Sequence, residues 1–173
     1  MTFVIMPASG ISQGIQPILG NNYGPGRFQR VMDTFYQATA LSVGITCVIW
    51  VIVLLFPQQI LAAFGGTEDM FAIGITGLRL NFCITPVLGF VMLATTFFQS
   101  INRPIPSILI SLLRQVVFLV PFLYVLPLWM DINGIFVAQP ISDLLATVLS
   151  LVLIIREKHR MMASPVSIGD TIQ

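Results

Sequence analysis

The stretch SQGIQPILGNNYGPGRFQRV, Ser12 to Val31, runs from an apolar helical segment into a basic turn. Its first half places Gln16, Pro17 and Asn21 where a membrane-spanning helix usually carries Leu, Ile and Val. Proline removes a backbone donor and crowds the preceding helical turn, so a bend is expected there. The stretch therefore predicts a polar, bent helix that ends in a tight turn.

The composition around this stretch predicts an integral membrane protein. The chain has 173 residues, of which 56% are hydrophobic and 9% are charged, whereas a soluble domain carries roughly 25% charged residues. So little polar surface cannot cover a globule in water. The net charge is +1, with no basic patch outside short loops, so a nucleic-acid partner is not expected.

The hydrophobic pattern predicts an all-α fold, a polytopic membrane helix bundle with five transmembrane helices. A bilayer core needs about 20 apolar residues per helix, and five segments meet that length. The predicted spans are residues 2–21, 35–56, 71–100, 105–128 and 134–155. Together they make one bundle over residues 1–160, followed by a disordered cytoplasmic tail at 161–173.

The third predicted span is too long for a perpendicular crossing. Its 30 residues would extend about 45 Å at about 1.5 Å per residue, whereas the hydrocarbon core is about 30 Å thick. Either this helix tilts or its outer end projects into the interface. If residues 81–100 cross the membrane, Arg79 lies near the outer boundary and can snorkel to water.

Charge predicts the orientation of the bundle, because short connections make neighbouring helices antiparallel. All basic residues of the loops and tail fall on one set of helix ends: Arg27, Arg30, Arg103, Arg156, Lys158 and Arg160. The positive-inside rule places these ends in the cytoplasm. Met1 is then expected outside and the C-terminus inside, in a multi-pass protein of the inner (plasma) membrane.

Three prolines lie beside polar side chains within the predicted spans and are candidate hinges: Pro17, Pro86 and Pro140. Helices broken at a polar cavity are typical of transporters, in which such a bend can alternate the accessible side. The alternative is that proline is simply more frequent in membrane helices than in soluble ones.

Two pairs of polar residues are candidates for a substrate pathway. Ser12 and Gln16 are four residues apart and share a face of the first helix, as Asn81 and Thr85 do in the third. The two stripes could line one cavity. Interhelical hydrogen bonding is the alternative role for these side chains.

Three charges lie within the spans: Arg79, Arg114 and Asp143. Asp143 is 13 residues before Arg156, or about 20 Å above the cytoplasmic boundary. It could couple to a cation or proton, or it could pair structurally with Arg79 or cap a neighbouring helix end. Arg114 lies about 12 Å deep, from where its side chain could snorkel to the inner headgroups.

No catalytic or metal-binding set is apparent in the sequence. The single histidine, His159, lies in the basic tail. HExxH, GxSxG and P-loop motifs are all missing, so an enzyme is not expected. Without an ATP site, any pump of this kind must use an ion gradient or a partner subunit.

Three ordered motifs carry a family resemblance over residues 11–160. The opening stretch resembles the Q-P-hydrophobic-x-x-N-Y-G-A/P-G-x-x-x-R-V signature of the multidrug and toxic compound extrusion (MATE) family. FFQSINRPIPSILISLLRQ is similar to its F-Q-A/S-x-G/N-[KR]-P stretch with a following R-Q, and INGIFVAQPISD is similar to its closing helix.

The resemblance implies a bacterial multidrug efflux antiporter that exports amphipathic organic compounds by alternating access, with Na⁺ or H⁺ as the coupling ion and no other cofactor. Family members have two six-helix lobes around a drug cavity, and the five segments resemble helices eight to twelve. The implied partners are membrane lipid, small-molecule drugs and the missing N-terminal lobe. Residues 78–99 contain no Asp or Glu, unlike members with a coupling acid on the tenth helix.

Two alternatives remain at the level of the sequence. One is a lipid-linked oligosaccharide flippase of the same superfamily, which would need more cavity-facing cations than Arg79 and Arg114 to bind pyrophosphate. The other is a non-transporting, truncated membrane fragment that needs a partner lobe.

Overall fold

The structure is a computed structural model that describes residues 2–63 and 68–163, with side chains at 5–60, 74–131 and 134–163. All secondary structure in these ranges is helical. The elements are α1 (Thr2–Tyr23), α2 (Phe28–Leu55), α3 (Pro57–Ala63), α4 (Glu68–Asn81), α5 (Thr85–Ser100), α6 (Pro104–Leu112), the π-helical segment π1 (Leu113–Leu119), α7 (Val120–Val125) and α8 (Pro127–Ala163). The all-α prediction is confirmed.

Within the described ranges, three helices are long and apolar enough to cross a membrane: Phe28–Leu55, Pro104–Val125 and Gly134–Ala163. A fourth crossing arises if the bent pair Gly74–Asn81 and Thr85–Ser100 counts as one span. The polar α1 is not among them, so the predicted count of five is not confirmed. α8 continues past the predicted end of its span to Ala163, and residues 164–173 of the expected tail lie outside the described ranges.

Residues 71–100 are not one continuous helix, because the chain bends by 45° between α4 and α5. Pro86 has no N–H to donate to the carbonyl of Phe82, four residues before it. That carbonyl instead accepts from the Thr85 N–H at 3.2 Å, and the Val87 N–H donates to Ile84 at 3.1 Å. The sequence predicted that this 30-residue segment would tilt or that its outer end would project into the interface. The structure instead divides it into two helices at a bend.

Irregular backbone also marks the last two spans. π1 ends directly before the first turn of α7, which contains Pro121, and a proline ring crowds the carbonyl four residues earlier. Near the start of α8, Asp131 has φ 49° and ψ −136°. A Cβ on Gly134 would lie 2.5 Å from the Leu126 carbonyl group, so this turn requires glycine.

The centre of the bundle is α5, which packs against α1, α2, α6 and α8. The rings of Phe35 and Phe97 lie 5.0 Å apart, and those of Phe97 and Phe98 meet edge to face at 5.5 Å. Lipid tails are as apolar as these side chains, so association between membrane helices depends on close packing rather than on escape from water. The aromatic contacts therefore fix how α2 and α5 meet.

Exposed apolar side chains follow single faces of the outer helices. On α2 they include Leu41, Val48, Ile52 and Leu55; on α8 they include Leu144, Val148, Val152 and Ile155. Spacings of three, four and seven residues place each set on one face of its helix. These faces are suited to contact with lipid tails.

Candidate functional site

An open groove of about 250 Å³ lies between α1 and α5. We call it the α1–α5 groove. Seven of its eight lining residues are polar: Ser9, Ser12, Gln13 and Gln16 from α1, and Thr95, Thr96 and Gln99 from α5, with Met92 as the eighth. The polar stripe predicted on the first helix therefore faces a concave surface.

A second cavity, of about 150 Å³, lies between α5 and the α6–π1 region. Met92 and Thr95 line both concavities, so the two lie on either side of the same part of α5. The other lining residues of the second cavity are Val91, Ile110, Ser111, Arg114 and Gln115. Together the two concavities form a polar face that spans four elements, α1, α5, α6 and π1.

The amide side chains on this face are exposed although they lie within the helices. Gln13, Gln16, Gln99 and Gln115 all belong to this exposed set. An amide transferred from water to hydrocarbon without a partner costs several kcal/mol, about 4–8 on the cyclohexane scale. This face of the bundle is therefore suited to water, a polar ligand or more protein, and not to lipid.

Three groove residues differ in how their hydrogen-bonding capacity is used. The Ser12 side-chain oxygen is buried without a hydrogen-bond partner in the described part of the chain. In contrast, the Thr95 hydroxyl donates to the Met92 carbonyl at 2.7 Å. Gln99 Nε2 donates to Ser107 Oγ at 3.0 Å, which ties α5 to α6. Ser12 thus keeps unused hydrogen-bonding capacity at the wall of the groove, although its hydroxyl oxygen is covered in this structure.

Asn81 and Thr85 are not among the residues that line the α1–α5 groove. They lie at the end of α4 and the start of α5, on either side of the bend. Thr85 is 1% exposed, and its hydroxyl and the Asn81 side-chain oxygen are buried without a described partner. The structure therefore places Ser12 and Gln16 together in the groove, and the other predicted pair elsewhere.

The three candidate hinge prolines occupy different settings. Pro86 is in the first turn of α5, directly after the bend. Pro17 is exposed inside α1, which continues through it. Pro140 is buried inside α8, whose non-helical dihedral angles are at Asp131 instead. Of the three, Pro86 alone adjoins a break in the described helices.

The buried carboxylate of Asp143 is paired with Arg114. Arg114 Nε donates to Asp143 Oδ1 at 2.6 Å, and the side chains are 20% and 4% exposed. Gln139 Nε2 adds a hydrogen bond to the same oxygen at 3.3 Å. Of the roles that the sequence left open for Asp143, the pairing with Arg79 is wrong, because the carboxylate binds Arg114 and Arg79 lies exposed in the last turn of α4. Arg114 binds a carboxylate rather than extending to the headgroups.

Helices suited to lipid and a polar concave face define a polytopic membrane protein of the kind that encloses a passage between helices. The MatE family model matches residues 1–125. The chain therefore belongs to the multidrug and toxic compound extrusion family, as its motifs indicated.

Solved structures of that family share the fold. The chain is 31% identical to the MATE multidrug transporter DinF-BH, with a TM-score of 0.86 over 94% of this chain and 36% of that one. An inward-facing MATE transporter of the MOP superfamily is 17% identical, with a TM-score of 0.89 over 95% of this chain and 39% of that one.

The Vibrio cholerae transporter VcmN in its bent form is 16% identical, with a TM-score of 0.85 over 93% of this chain and 37% of that one. The chain thus spans less than two fifths of the length of the transporters it matches. None of the curated proteins matches it.

Proposed function

We propose that this chain forms part of the C-terminal lobe of a cation-coupled multidrug antiporter, which exports amphipathic organic compounds by alternating access. The α1–α5 groove contributes to the drug pathway. Its opposite wall comes from further polypeptide, the N-terminal lobe, without which the polar face stays open. The observation that carries this proposal is the row of exposed amides on a bundle whose α2 and α8 present apolar outer faces.

The groove has a chemistry that suits amphipathic compounds. Glutamine amides and serine or threonine hydroxyls both donate and accept hydrogen bonds, and Met92 adds a flexible apolar surface that adapts to ligands of different shape. A carboxylate in the groove would favour cations alone, whereas this lining accepts neutral and cationic compounds.

Alternating access in this proposal is chiefly a movement of the chain as one packed unit, with a local hinge at Pro17 inside α1. A MATE transporter in its outward-facing conformation matches with a TM-score of 0.86, at 18% identity, and the inward-facing one matches with 0.89. Because the same helical arrangement fits structures in both conformations, most of the change is assigned to movement between lobes, and any change within this one is local.

The coupling ion, Na⁺ or H⁺, is proposed to bind chiefly outside this chain. Residues 78–99 hold no acidic side chain, and Asp143 is engaged by Arg114 and Gln139. That pairing supports a structural role for Asp143. It also occupies Arg114, which the flippase alternative would need for pyrophosphate, so multidrug transport is the preferred function.

The basic ends of the helices are proposed to face the cytoplasm of the cell whose plasma membrane holds the transporter. Contacts at this end support a common side. Arg103 Nη1 lies 3.1 Å from Glu157 Oε2, and Lys158 Nζ donates to the Tyr36 hydroxyl at 3.2 Å. These pairs join basic segments from three parts of the chain.

Replacing Gln16 and Gln99 by Leu tests the proposed drug pathway. In the complete transporter that contains this sequence, each change should raise the drug concentration for half-maximal efflux about fivefold, the equivalent of one lost hydrogen bond. The measurement is dye efflux from proteoliposomes, with Na⁺ and pH gradients imposed separately. Gln37→Leu is the matched control, because Gln37 is an exposed amide on α2 outside the groove. Equal effects of all three changes would contradict the assignment.

Replacing Pro17 by Ala tests its proposed hinge role. Pro17 cannot donate to the carbonyl of Gln13, so this turn of α1 is looser than a regular helix, and alanine restores the donor. We expect several-fold slower efflux with normal abundance in the membrane, measured by drug resistance and immunoblotting. Pro7→Ala is the control, because Pro7 is also inside α1 but precedes all the groove residues of that helix, whereas Pro17 directly follows Gln16 of the groove. Unchanged resistance in the Pro17 variant would exclude the hinge.

A further inference from the structure

We propose that a cavity at the basic end of the bundle binds the phosphate headgroup of an anionic phospholipid, a site that the transport function does not require. The cavity measures about 480 Å³ and is lined by Asn102, Arg103, Pro104, Ile105, Pro106 and Arg160. We call it the arginine cavity. It brings two guanidinium groups from distant parts of the chain to one concave surface.

Arg103 is held in place by a buried acid. Its Nη1 lies 3.1 Å from Glu157 Oε2, and Glu157 is 7% exposed. A guanidinium has five N–H donors, so this pairing fixes the group and leaves donors for the cavity. The geometry is that of a positioned anion receptor rather than of a freely moving surface side chain.

The charge balance of the cavity is positive. Arg160 lies three residues after Glu157, one turn further along α8, and is exposed. Glu157 neutralises one of the two arginines, so one positive charge remains uncompensated between these three groups. A phosphate oxygen can accept from Arg103 and Arg160 together, and arginine is well matched to phosphate geometry.

An apolar stripe leads away from the cavity along α6. Ile105, Ile108 and Leu112 are 77%, 54% and 53% exposed, and their spacing of three and four residues places them on one face. Ser107 and Ser111 lie on the other side, where Ser107 bonds to Gln99 and Ser111 lines the second polar cavity.

Ile105 belongs both to this stripe and to the arginine cavity. A ligand with an anionic head and apolar tails fits this continuous surface better than a free phosphate ion. Anionic lipids also concentrate in the leaflet that basic helix ends face.

The test uses the purified transporter that contains this sequence, in nanodiscs of phosphatidylcholine with a minority of phosphatidylglycerol, and counts retained lipid by native mass spectrometry. Arg160→Gln should lower phosphatidylglycerol retention about fivefold, the effect of one basic residue near an anionic surface. Arg156→Gln is the matched control: Arg156 is exposed one turn earlier on α8 and does not line the cavity. Its retention should stay within about twofold of the unmodified chain.

Each remaining outcome decides the proposal. Equal losses in the two variants would show diffuse attraction to the surface, and no loss in Arg160→Gln would show no site; either overturns the proposal. Retention of phosphatidylglycerol no greater than that of phosphatidylcholine, together with binding of inorganic phosphate that Arg160→Gln abolishes, would make free phosphate the ligand and would also overturn it. Ile105→Asn leaves both arginines intact and should lower retention by removing the acyl contact, which keeps the test decisive if an arginine variant misfolds. The readout is independent of efflux.

Discussion

Replacing Asp143 by Asn is expected to destabilise the chain by about 3–5 kcal/mol, because the change leaves the Arg114 guanidinium unpaired within the bundle. The two groups meet at 2.6 Å, and the Asp143 side chain is 4% exposed. Asparagine has nearly the shape of aspartate, so loss of charge rather than of volume causes the effect. Thermal unfolding of the purified chain in detergent, followed by circular dichroism, measures it.

Removal of both charges should restore most of the lost stability. In Arg114→Met with Asp143→Leu neither buried charge remains, and such replacements are often neutral or stabilising. Asp33→Asn is the control at an exposed acid of α2 and should change stability by less than about 0.5 kcal/mol. A double variant less stable than Asp143→Asn would show that the two side chains act independently.

The Arg114–Asp143 pair shows where inference from the sequence ended. Counting along each helix placed both charges inside the membrane, and the structure has them within the bundle. Counting residues along the helices could not identify the partner of Asp143, because the choice of partner depends on how π1 is rotated relative to α8. A π-helical segment changes which residues face a neighbour, so the sequence suggested Arg79 as the partner of Asp143 and an interfacial position for Arg114.

The helices themselves were largely predictable because apolar length and turn residues are local signals. The break at residues 82–84 was harder to predict. Pro86 indicated a bend, but the exact position of that bend depends on which N–H donates to the Phe82 carbonyl. Only the packed structure decides between a bent, a tilted and a projecting helix, since all three satisfy the same hydrophobic pattern.

For the candidate groove, spacing on one helix was informative and pairing between helices was not. Ser12 and Gln16 share a face by simple periodicity, and that face does line the groove. Thr95 and Gln99 were missed although they have the same spacing of four residues, and Gln99 lies in the quoted FFQSINRP motif. Asn81 and Thr85 have this spacing too, but the bend separates them from the groove.

Replacing Gly89 by Val is expected to destabilise the bundle by about 1–3 kcal/mol through overpacking. A Cβ at this position would lie 2.8 Å from Ser42 Oγ and 3.3 Å from Thr46 Oγ1. Both hydroxyls belong to α2, so the larger side chain must push α2 away from α5. Because α5 packs against four other helices, the strain cannot be relieved by shifting it. The apparent melting temperature in detergent is the measurement.

Gly44 provides a control on α2 itself, because a Cβ there would meet nothing within 4 Å. Gly44→Val adds the same β-branched side chain to an exposed helix position, so the difference between the two variants isolates the contact between α2 and α5 from helix propensity. Gly89→Ala combined with Ser42→Gly should recover stability relative to Gly89→Ala alone, since it returns space to the same contact. If Gly89→Val melts at the same temperature as Gly44→Val, the two helices do not approach as closely as the structure has them, and the position of the α1–α5 groove, which α5 sets, would have to be revised with them.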